Sequence, residues 1–143
     1  MEVKIKLIEG GKMPTRAHES DAGLDCYARK VLVHPHQNQM KIALGFAVEI
    51  PEGHVGLLFP RSSICNTSLR VSNCVGVIDA GYRGELSMVF DIIDPEKFVL
   101  YKYKTGDRVG QLIIMPYPKV ELKAVESLGF TDRNTGGYGS SGK

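Results

Sequence analysis

Ile42, Leu44, Phe46, Val48 and Ile50 place five apolar side chains at a strict spacing of two, with Ala43, Gly45, Ala47 and Glu49 between them. A period of two is that of a strand with one face buried. The same alternation runs through Val3, Ile5 and Leu7, and through Leu86, Met88, Phe90 and Ile92. Val55, Leu57 and Phe59 read as the strand returning from a turn at Pro51-Glu52-Gly53. Val31 to Val33, Phe98 to Tyr103, Val109 to Met115 and Val120 to Leu122 are further β-rich stretches, separated by turn residues such as Asp94-Pro95-Glu96 and Thr105-Gly106-Asp107. Many short strands at this spacing predict an all-β chain, an antiparallel sandwich or barrel. Ser62 to Leu69 departs from the pattern. Its apolar residues fall at Ile64 and Leu69, and Ser62 or Ser63 suits the cap of one short helix of at most two turns.

Between the apolar runs Val71–Ile78 and Leu86–Ile92 lies Gly76-Val77-Ile78-Asp79-Ala80-Gly81-Tyr82-Arg83-Gly84-Glu85. The pattern predicts a β-hairpin with a carboxylate at its tip, since Gly81 and Gly84 permit tight backbone paths. The same residues also suit a turn without chemistry.

Composition narrows the class. A chain of 143 residues forms one domain, 1–143, with a core large enough to need no metal or disulfide. Apolar residues make up 43% and charged ones 24%, as in ordinary globular proteins. The net charge of +2 comes with no sustained basic block, which argues against nucleic acid as a partner. No segment has the length of a signal peptide or a membrane span. Cys26, Cys65 and Cys74 make an odd count without paired spacing, which predicts free thiols in a reducing cytoplasm. Cys65 and Cys74, among apolar neighbours, read as small core residues. His34-Pro35-His36 lacks the spacing of a zinc site. Residues 131–143, rich in Gly and Ser, cannot offset their ordering entropy by burial and are expected to be mobile when empty.

Three further constellations carry polar chemistry. Asp21-Ala22-Gly23-Leu24-Asp25 suits either a metal's waters or an Asx turn. Pro60-Arg61-Ser62-Ser63 follows a strand and precedes the expected helix, a place for an anion or for a capped helix with a surface arginine. Gly106-Asp107-Arg108-Val109-Gly110-Gln111 reads as a turn, an ion pair and a strand, with Gln111 a polar amide that needs a partner.

Together with Arg133-Asn134-Thr135-Gly136-Gly137-Tyr138-Gly139-Ser140-Ser141-Gly142, these segments occur in an order and at separations that closely resemble the five motifs of the homotrimeric dUTP pyrophosphatases. The resemblance covers nearly the whole chain. It implies a distorted jelly-roll subunit, a homotrimer with active sites shared between subunits, Mg²⁺ held mainly by the triphosphate, and hydrolysis of dUTP to dUMP and pyrophosphate. That activity keeps uracil out of DNA and supplies dUMP for dTMP synthesis. The location implied is the cytoplasm, or the host cytoplasm or nucleus for a viral protein.

By the same resemblance Asp79 is the general base that activates water for attack on the α-phosphorus. Tyr82 lies beneath the deoxyribose and leaves no room for a 2′-hydroxyl. Asn73 and the backbone of Gly76, Val77 and Ile78 read uracil. Arg61, Ser62, Ser63 and Gln111 contact the phosphates, and Asp25 the metal's waters. Arg133 and Ser140 bind the γ-phosphate in the closing tail, where Gly139 adds a substrate contact and Tyr138 covers the uracil. The chain departs from the usual pattern at Gly81, where many members have a second Asp, and at Ser63, where Gly is usual. Tyr138 replaces Phe, and Asn134-Thr135 replaces Gly-Glu.

Two rival readings are weighed against this one. dCTP deaminase resembles the same fold and keeps a similar segment around the aspartate. The position of its catalytic glutamate is Val89 here, which cannot shuttle a proton, and it lacks the Gly-rich tail. A nucleotide-gated regulator acting through a protein partner is expected to carry an inserted segment or an extra tail, and neither is evident.

Overall fold

The computed structural model describes residues 1–98 and 102–137. Its strands are β1 (Lys4–Leu7), β2 (Leu24–Tyr27), β3 (Lys30–His34), β4 (Gln39–Ala43), β5 (Phe46–Glu49), β6 (His54–Pro60), β7 (Leu69–Val71), β8 (Gly76–Ile78), β9 (Ser87–Ile92) and β10 (Arg108–Pro116). A one-turn helix, α1 (Pro95–Phe98), and 3-10 turns at Pro35–Gln37 and Ser62–Asn66 complete the regular structure of the described residues. Two four-stranded sheets have the orders β2-β10-β6-β8 and β3-β4-β9-β7, and β1 pairs with β5 in a separate ribbon. Every ladder between these strands is antiparallel. This is the distorted jelly roll expected from the sequence.

The core lies between the sheets. Met40 and Ile42 of β4 face Met88 and Phe90 of β9 in register, and all four are buried. Leu58 and Leu112 supply the opposing layer from β6 and β10. The run Ile42-Leu44-Phe46-Val48-Ile50 is buried throughout, yet it is not one strand. β4 pairs with β3 and β9, whereas β5 pairs with β1. Gly45 makes the corner with φ of +79°, and a Cβ there would lie 2.5 Å from Gly11 Cα and 2.9 Å from Arg29 Cδ. Only glycine meets both constraints at low cost.

Several local expectations are corrected. β6 does not return along β5. It pairs with β10 and β8, and it buries Gly56 and Leu58 while Val55, Leu57 and Phe59 are half-buried. Ile50 and Ile78 fill the space over Gly56, which puts that parity inward. The stretch from Gly76 to Glu85 is not the tip of a hairpin: β8 joins one sheet and β9 the other, so residues 79–86 cross between layers. Leu86 directs this crossing, because its amide donates to Phe46 and its carbonyl accepts from Leu44, each at 2.9 Å.

The helix expected over 62–69 is a 3-10 turn, with Arg61 rather than a serine at its N-cap and no side-chain cap bond. Asp94-Pro95-Glu96 opens α1 instead of a plain turn, since the Asp94 carboxylate accepts from the amides of Glu96 and Lys97. Phe98 closes that helix rather than opening a strand, residues 102–103 lie in no strand, and 99–101 lie outside the described residues. Val120 to Leu122 forms no strand and is exposed. Cys65 and Cys74 are exposed, not core, because they fall on the 3-10 turn and on a tight turn. The buried thiol is Cys26, pushed up to about 12 by burial. No helix among the described residues is long and apolar enough to cross a membrane.

Gly45→Ala is expected to destabilise the fold by about 2 kcal/mol or more, from left-handed strain plus overpacking against Gly11. Denaturant midpoints measure this; a loss below about 0.5 kcal/mol would show that the corner does not need glycine.

Candidate functional site

Gln111 of β10 stands opposite Asp25 of β2 on one side and Phe59 of β6 on the other. This register brings the first, second and fourth polar segments to one end of the sheet. Ala17, Asp21, Ala22, Gly23, Asp25, Arg61, Ser62, Gln111 and Ile113 line a cleft of about 370 Å³ there. Asp25 is 14% exposed and ties two cations together: Arg61 Nε donates to its Oδ1 at 2.9 Å and Arg108 to its Oδ2 at 3.0 Å. Each guanidinium keeps further N–H groups for another anion. The Gln111 amide donates to the Pro60 carbonyl at 3.1 Å, the partner its position demanded. Asp21 closes a local turn, one carboxylate oxygen accepting from the amide of His18 three residues back, rather than forming an Asx turn onto the residues that follow. Ser62 lines the cleft, and Ser63 is half-buried and is not among its lining residues.

Arg108 enters this group through an irregularity that spacing alone did not suggest. In a regular strand Arg108 and Gln111, three apart, point to opposite faces. The pairing of β10 with β2 shifts between Arg108 and Gly110, a bulge that buries Val109 and turns Arg108 toward Asp25. The expected ion pair within Asp107-Arg108 is absent among the described residues. Asp107 instead accepts from the amide of Lys104 at 2.7 Å. Gly110 inside a strand pattern was the available signal for the bulge.

The segment from Asn73 to Glu85 runs back along β6, Gly76 pairing with Leu58 toward its end and Ile78 with Gly56 toward its start. Asn73 and Cys74 form a tight turn, closed by the Val75 amide donating to the Asn73 carbonyl at 2.6 Å. β8 follows as an edge strand, paired to β6 through Gly76, Val77 and Ile78, so one row of its backbone groups has no ladder partner among the described residues. Asp79 comes directly after β8. It is exposed, its carboxylate has no hydrogen-bond or ion-pair partner among the described residues, and it lines a cleft of about 520 Å³ with His54, Val55, Ala80, Gly81 and Tyr117. A free carboxylate beside an open cleft can accept a proton from water. Tyr82 lies over Gly84, where a Cβ would come within 2.6 Å of the ring's Cζ, and its hydroxyl donates to the Glu85 carbonyl at 3.3 Å.

The two groups do not meet within one chain. Ile78 pairs with Gly56, so Asp79 sits beside the start of β6, while Arg61 follows its end. Six residues of strand at ~3.3 Å each separate them by about 20 Å. In the tail, Arg133 Nε donates to the Gly136 carbonyl at 3.0 Å, and Tyr138, Gly139 and Ser140 lie outside the described residues.

Glu85 and Arg29 were not singled out from the sequence. Glu85 accepts from Arg29 Nε and a terminal Arg29 nitrogen, both at 2.9 Å, and from the Gly45 amide at 2.9 Å. The Arg29 hydrogen bonds hold the Glu85 carboxyl below the usual carboxylate range. Nothing in the local pattern links positions 29, 45 and 85; only the crossing of residues 79–86 between sheets brings them together.

A depressed folded-state value means that Glu85 contributes stability above its unfolded value, lost as pH falls through the folded one. Glu85→Gln is therefore expected to cost about 1–3 kcal/mol near neutral pH, a difference that shrinks in acid. Urea unfolding of both proteins across this range checks it; a penalty that does not change with pH would contradict the ionic origin.

The dUTPase family model matches residues 9–142. The deoxyuridine 5′-triphosphate nucleotidohydrolase of Mycobacterium marinum is 40% identical over 144 residues, covering 96% of this chain and 92% of that protein. The protein of the same name from Corynebacterium glutamicum is 39% identical, covering 97% and 95%. Among solved structures, the dUTPase of Staphylococcus bacteriophage 80alpha with dUPNHPP superposes with a TM-score of 0.84 at 32% identity, covering 99% of each chain. A variant dUTPase of phage phi11 of S. aureus, described with a structural Mg(II) ion, gives 0.76 at 30% identity, covering 91% of this chain and 100% of that one. Matched over nearly its full length by the family model, by these relatives and by these folds, the chain belongs to the dUTPase family.

Proposed function

We propose that the chain hydrolyses dUTP to dUMP and pyrophosphate by in-line attack of water on the α-phosphorus, keeping uracil out of DNA and supplying dUMP for dTMP synthesis. The observation that carries this reading is the sequence of groups along one edge: backbone on β8 and then the carboxylate of Asp79, both without partners among the described residues, then the ring of Tyr82. An edge strand offers alternating donors and acceptors to a base, as it does to an added strand. Asn73 and the backbone of Gly76, Val77 and Ile78 hold uracil, and a polar site of this kind rejects an analogue that leaves its groups unpaired. Tyr82 lies under the deoxyribose. Asp79 takes the proton of the attacking water, a role typically supplying about 10²–10⁴-fold.

The phosphates lie in the cationic cleft. Arg61 and Ser62 contact them, with Ser63 behind and Gln111 alongside. Arg108 joins Arg61 in neutralising charge that builds on the phosphate oxygens. The water on the α-phosphorus and the guanidiniums on the same triphosphate must lie within a few ångströms of it, which a separation of about 20 Å along β6 does not allow within one chain. Active sites shared between the subunits of a homotrimer meet that demand, Asp79 and Tyr82 coming from one copy and Arg61, Arg108 and Gln111 from its neighbour.

Mg²⁺, where bound, would be held with the triphosphate. Such an ion would be ligated mainly by phosphate oxygens and water. Bound there, it supplies charge neutralisation on the triphosphate. Asp25, fixed by Arg61 and Arg108, retains lone pairs to accept hydrogen bonds from the ion's waters. Residues 131–143 close over the site, with Arg133 and Ser140 on the γ-phosphate, Gly139 beside the substrate and Tyr138 over the uracil. The compartment we assign is the cytoplasm, where three free thiols persist.

Asp79→Asn is expected to lower kcat by about 10²-fold or more while leaving the affinity for a non-hydrolysable dUTP analogue nearly intact, because the base acts in the transition state. Pyrophosphate release from dUTP, dTTP, dCTP and UTP, measured beside analogue binding, tests both chemistry and substrate. Normal turnover by the variant, or equal turnover of the four nucleotides by the parent, would overturn the reading.

A further inference from the structure

Residues 79–86 are built as a unit held at both ends, by β8 before Asp79 and by Glu85 and Leu86 at its close. Within the unit the Tyr82 amide donates to the Asp79 carbonyl at 3.0 Å, and the Arg83 guanidinium donates to the carbonyls of Ala80 and Tyr82 at 2.6 and 2.9 Å. The Tyr82 hydroxyl reaches the Glu85 carbonyl, and the ring rests on Gly84. Every one of these bonds begins and ends inside the segment. Besides its continuity with β8, its attachment among the described residues lies at Glu85 and Leu86. Leu86 pairs through its backbone with Leu44 and Phe46, while the Glu85 carboxylate takes a two-pronged grip from Arg29 and a third bond from the Gly45 amide. Arg29 is itself fixed at that corner: its amide donates to the Ala43 carbonyl at 2.9 Å, and its side chain lies against Gly45.

We infer that the Arg29–Glu85 ion pair, with the Gly45 amide, is a positioning clamp that sets the place of the Tyr82 ring and so the enzyme's rejection of ribonucleotides. The inference rests on the reading of Tyr82 as the residue beneath the deoxyribose. The chemistry is short. A 2′-hydroxyl differs from a 2′-hydrogen by one oxygen atom, so excluding it sterically requires a ring that cannot yield by the width of that atom. Tyr82 is 46% exposed, so packing among the described residues stiffens it only in part. Its position is inherited from the Glu85 carbonyl that receives its hydroxyl and from Gly84 beneath it. Those atoms are fixed in turn by the carboxylate's three bonds to the corner. Arginine is required for the double-pronged hold; a lysine ammonium at position 29 keeps the charge but not the fork.

The test is the ratio of kcat/KM for dUTP to kcat/KM for UTP in the full-length protein. A loss of folded or assembled enzyme lowers both terms equally and leaves their ratio unchanged, so the ratio separates positioning from stability. Glu85→Ala and Arg29→Lys are expected to lower it by about tenfold to a hundredfold, the scale of a small misplacement at a steric gate. Glu85→Gln, which keeps an acceptor for Gly45 and for one arginine N–H, should fall between Glu85→Ala and the parent. Tyr82→Ala serves as the control. If it collapses the ratio while the Glu85 and Arg29 variants leave it at the parental value, the clamp is overturned and the role of Tyr82 stands. If Tyr82→Ala itself leaves the ratio unchanged, the reading of Tyr82 fails and the clamp's proposed role fails with it. Should Glu85→Ala not fold, Glu85→Gln and Arg29→Lys decide the matter by the same criterion.

Discussion

β6 spans His54–Pro60 and lies between β10 and β8 in the middle of its sheet. Its length is the constraint from which the functional arrangement follows. The segment bearing Asp79 and Tyr82 is tied to the start of β6 by the pairing of Gly56 with Ile78. The cationic cleft is tied to its end, where Pro60 accepts from Gln111 and the chain turns at Arg61. A strand cannot shorten without losing its ladder, so the two halves of the chemistry stay apart by about 20 Å whatever the loops do. On the proposed function, each copy of the chain presents two half-sites of complementary character. One is an edge with a free carboxylate and an aromatic ring; the other is a cradle of two arginines around one aspartate.

Both half-sites are held by charge pairs at the surface of a well-packed sandwich. Asp25 draws Arg61 and Arg108 together, and Glu85 draws Arg29 to the corner at Gly45. In each case one carboxylate fixes the positions of the groups bonded to it. Such pairs are valuable for orientation more than for net stability, since desolvation cancels much of their attraction. The core beneath them, from Met40 and Ile42 across to Leu58 and Leu112, supplies the rigidity against which the pairs are set.

Much of this was legible in the sequence where the signal is local. The alternation from Ile42 to Ile50 marks core positions correctly, because burial parity persists through the corner even though the strand does not. What it could not reveal is that Gly45 sends the chain from one sheet to another. The same blindness made Gly76–Glu85 look like a hairpin: flanking strands adjacent in sequence belong to different layers, and pairing is decided by partners such as Leu44 and Phe46 far along the chain. Asp25, Arg61, Ser62 and Gln111 were legible as polar residues bounding apolar runs, and the register of β2, β10 and β6 gathers them. Arg108 escaped because its position depends on a bulge, and Glu85 because its partners are separated from it by dozens of residues.

The division of the site between copies is the claim on which the account turns, and complementation tests it directly. Asp79→Asn and Arg61→Ala subunits, carrying different tags and co-expressed, assemble into mixed oligomers. Each variant alone lacks one half of every site. If the halves come from neighbouring chains, a mixed oligomer pairs the intact Asp79 of one subunit with the intact Arg61 of the next. About a quarter of the sites should then be whole in a random equal mixture, with dUTP turnover recovered in proportion. Doubly tagged oligomers no more active than the two parents would place both halves in one chain and contradict the account.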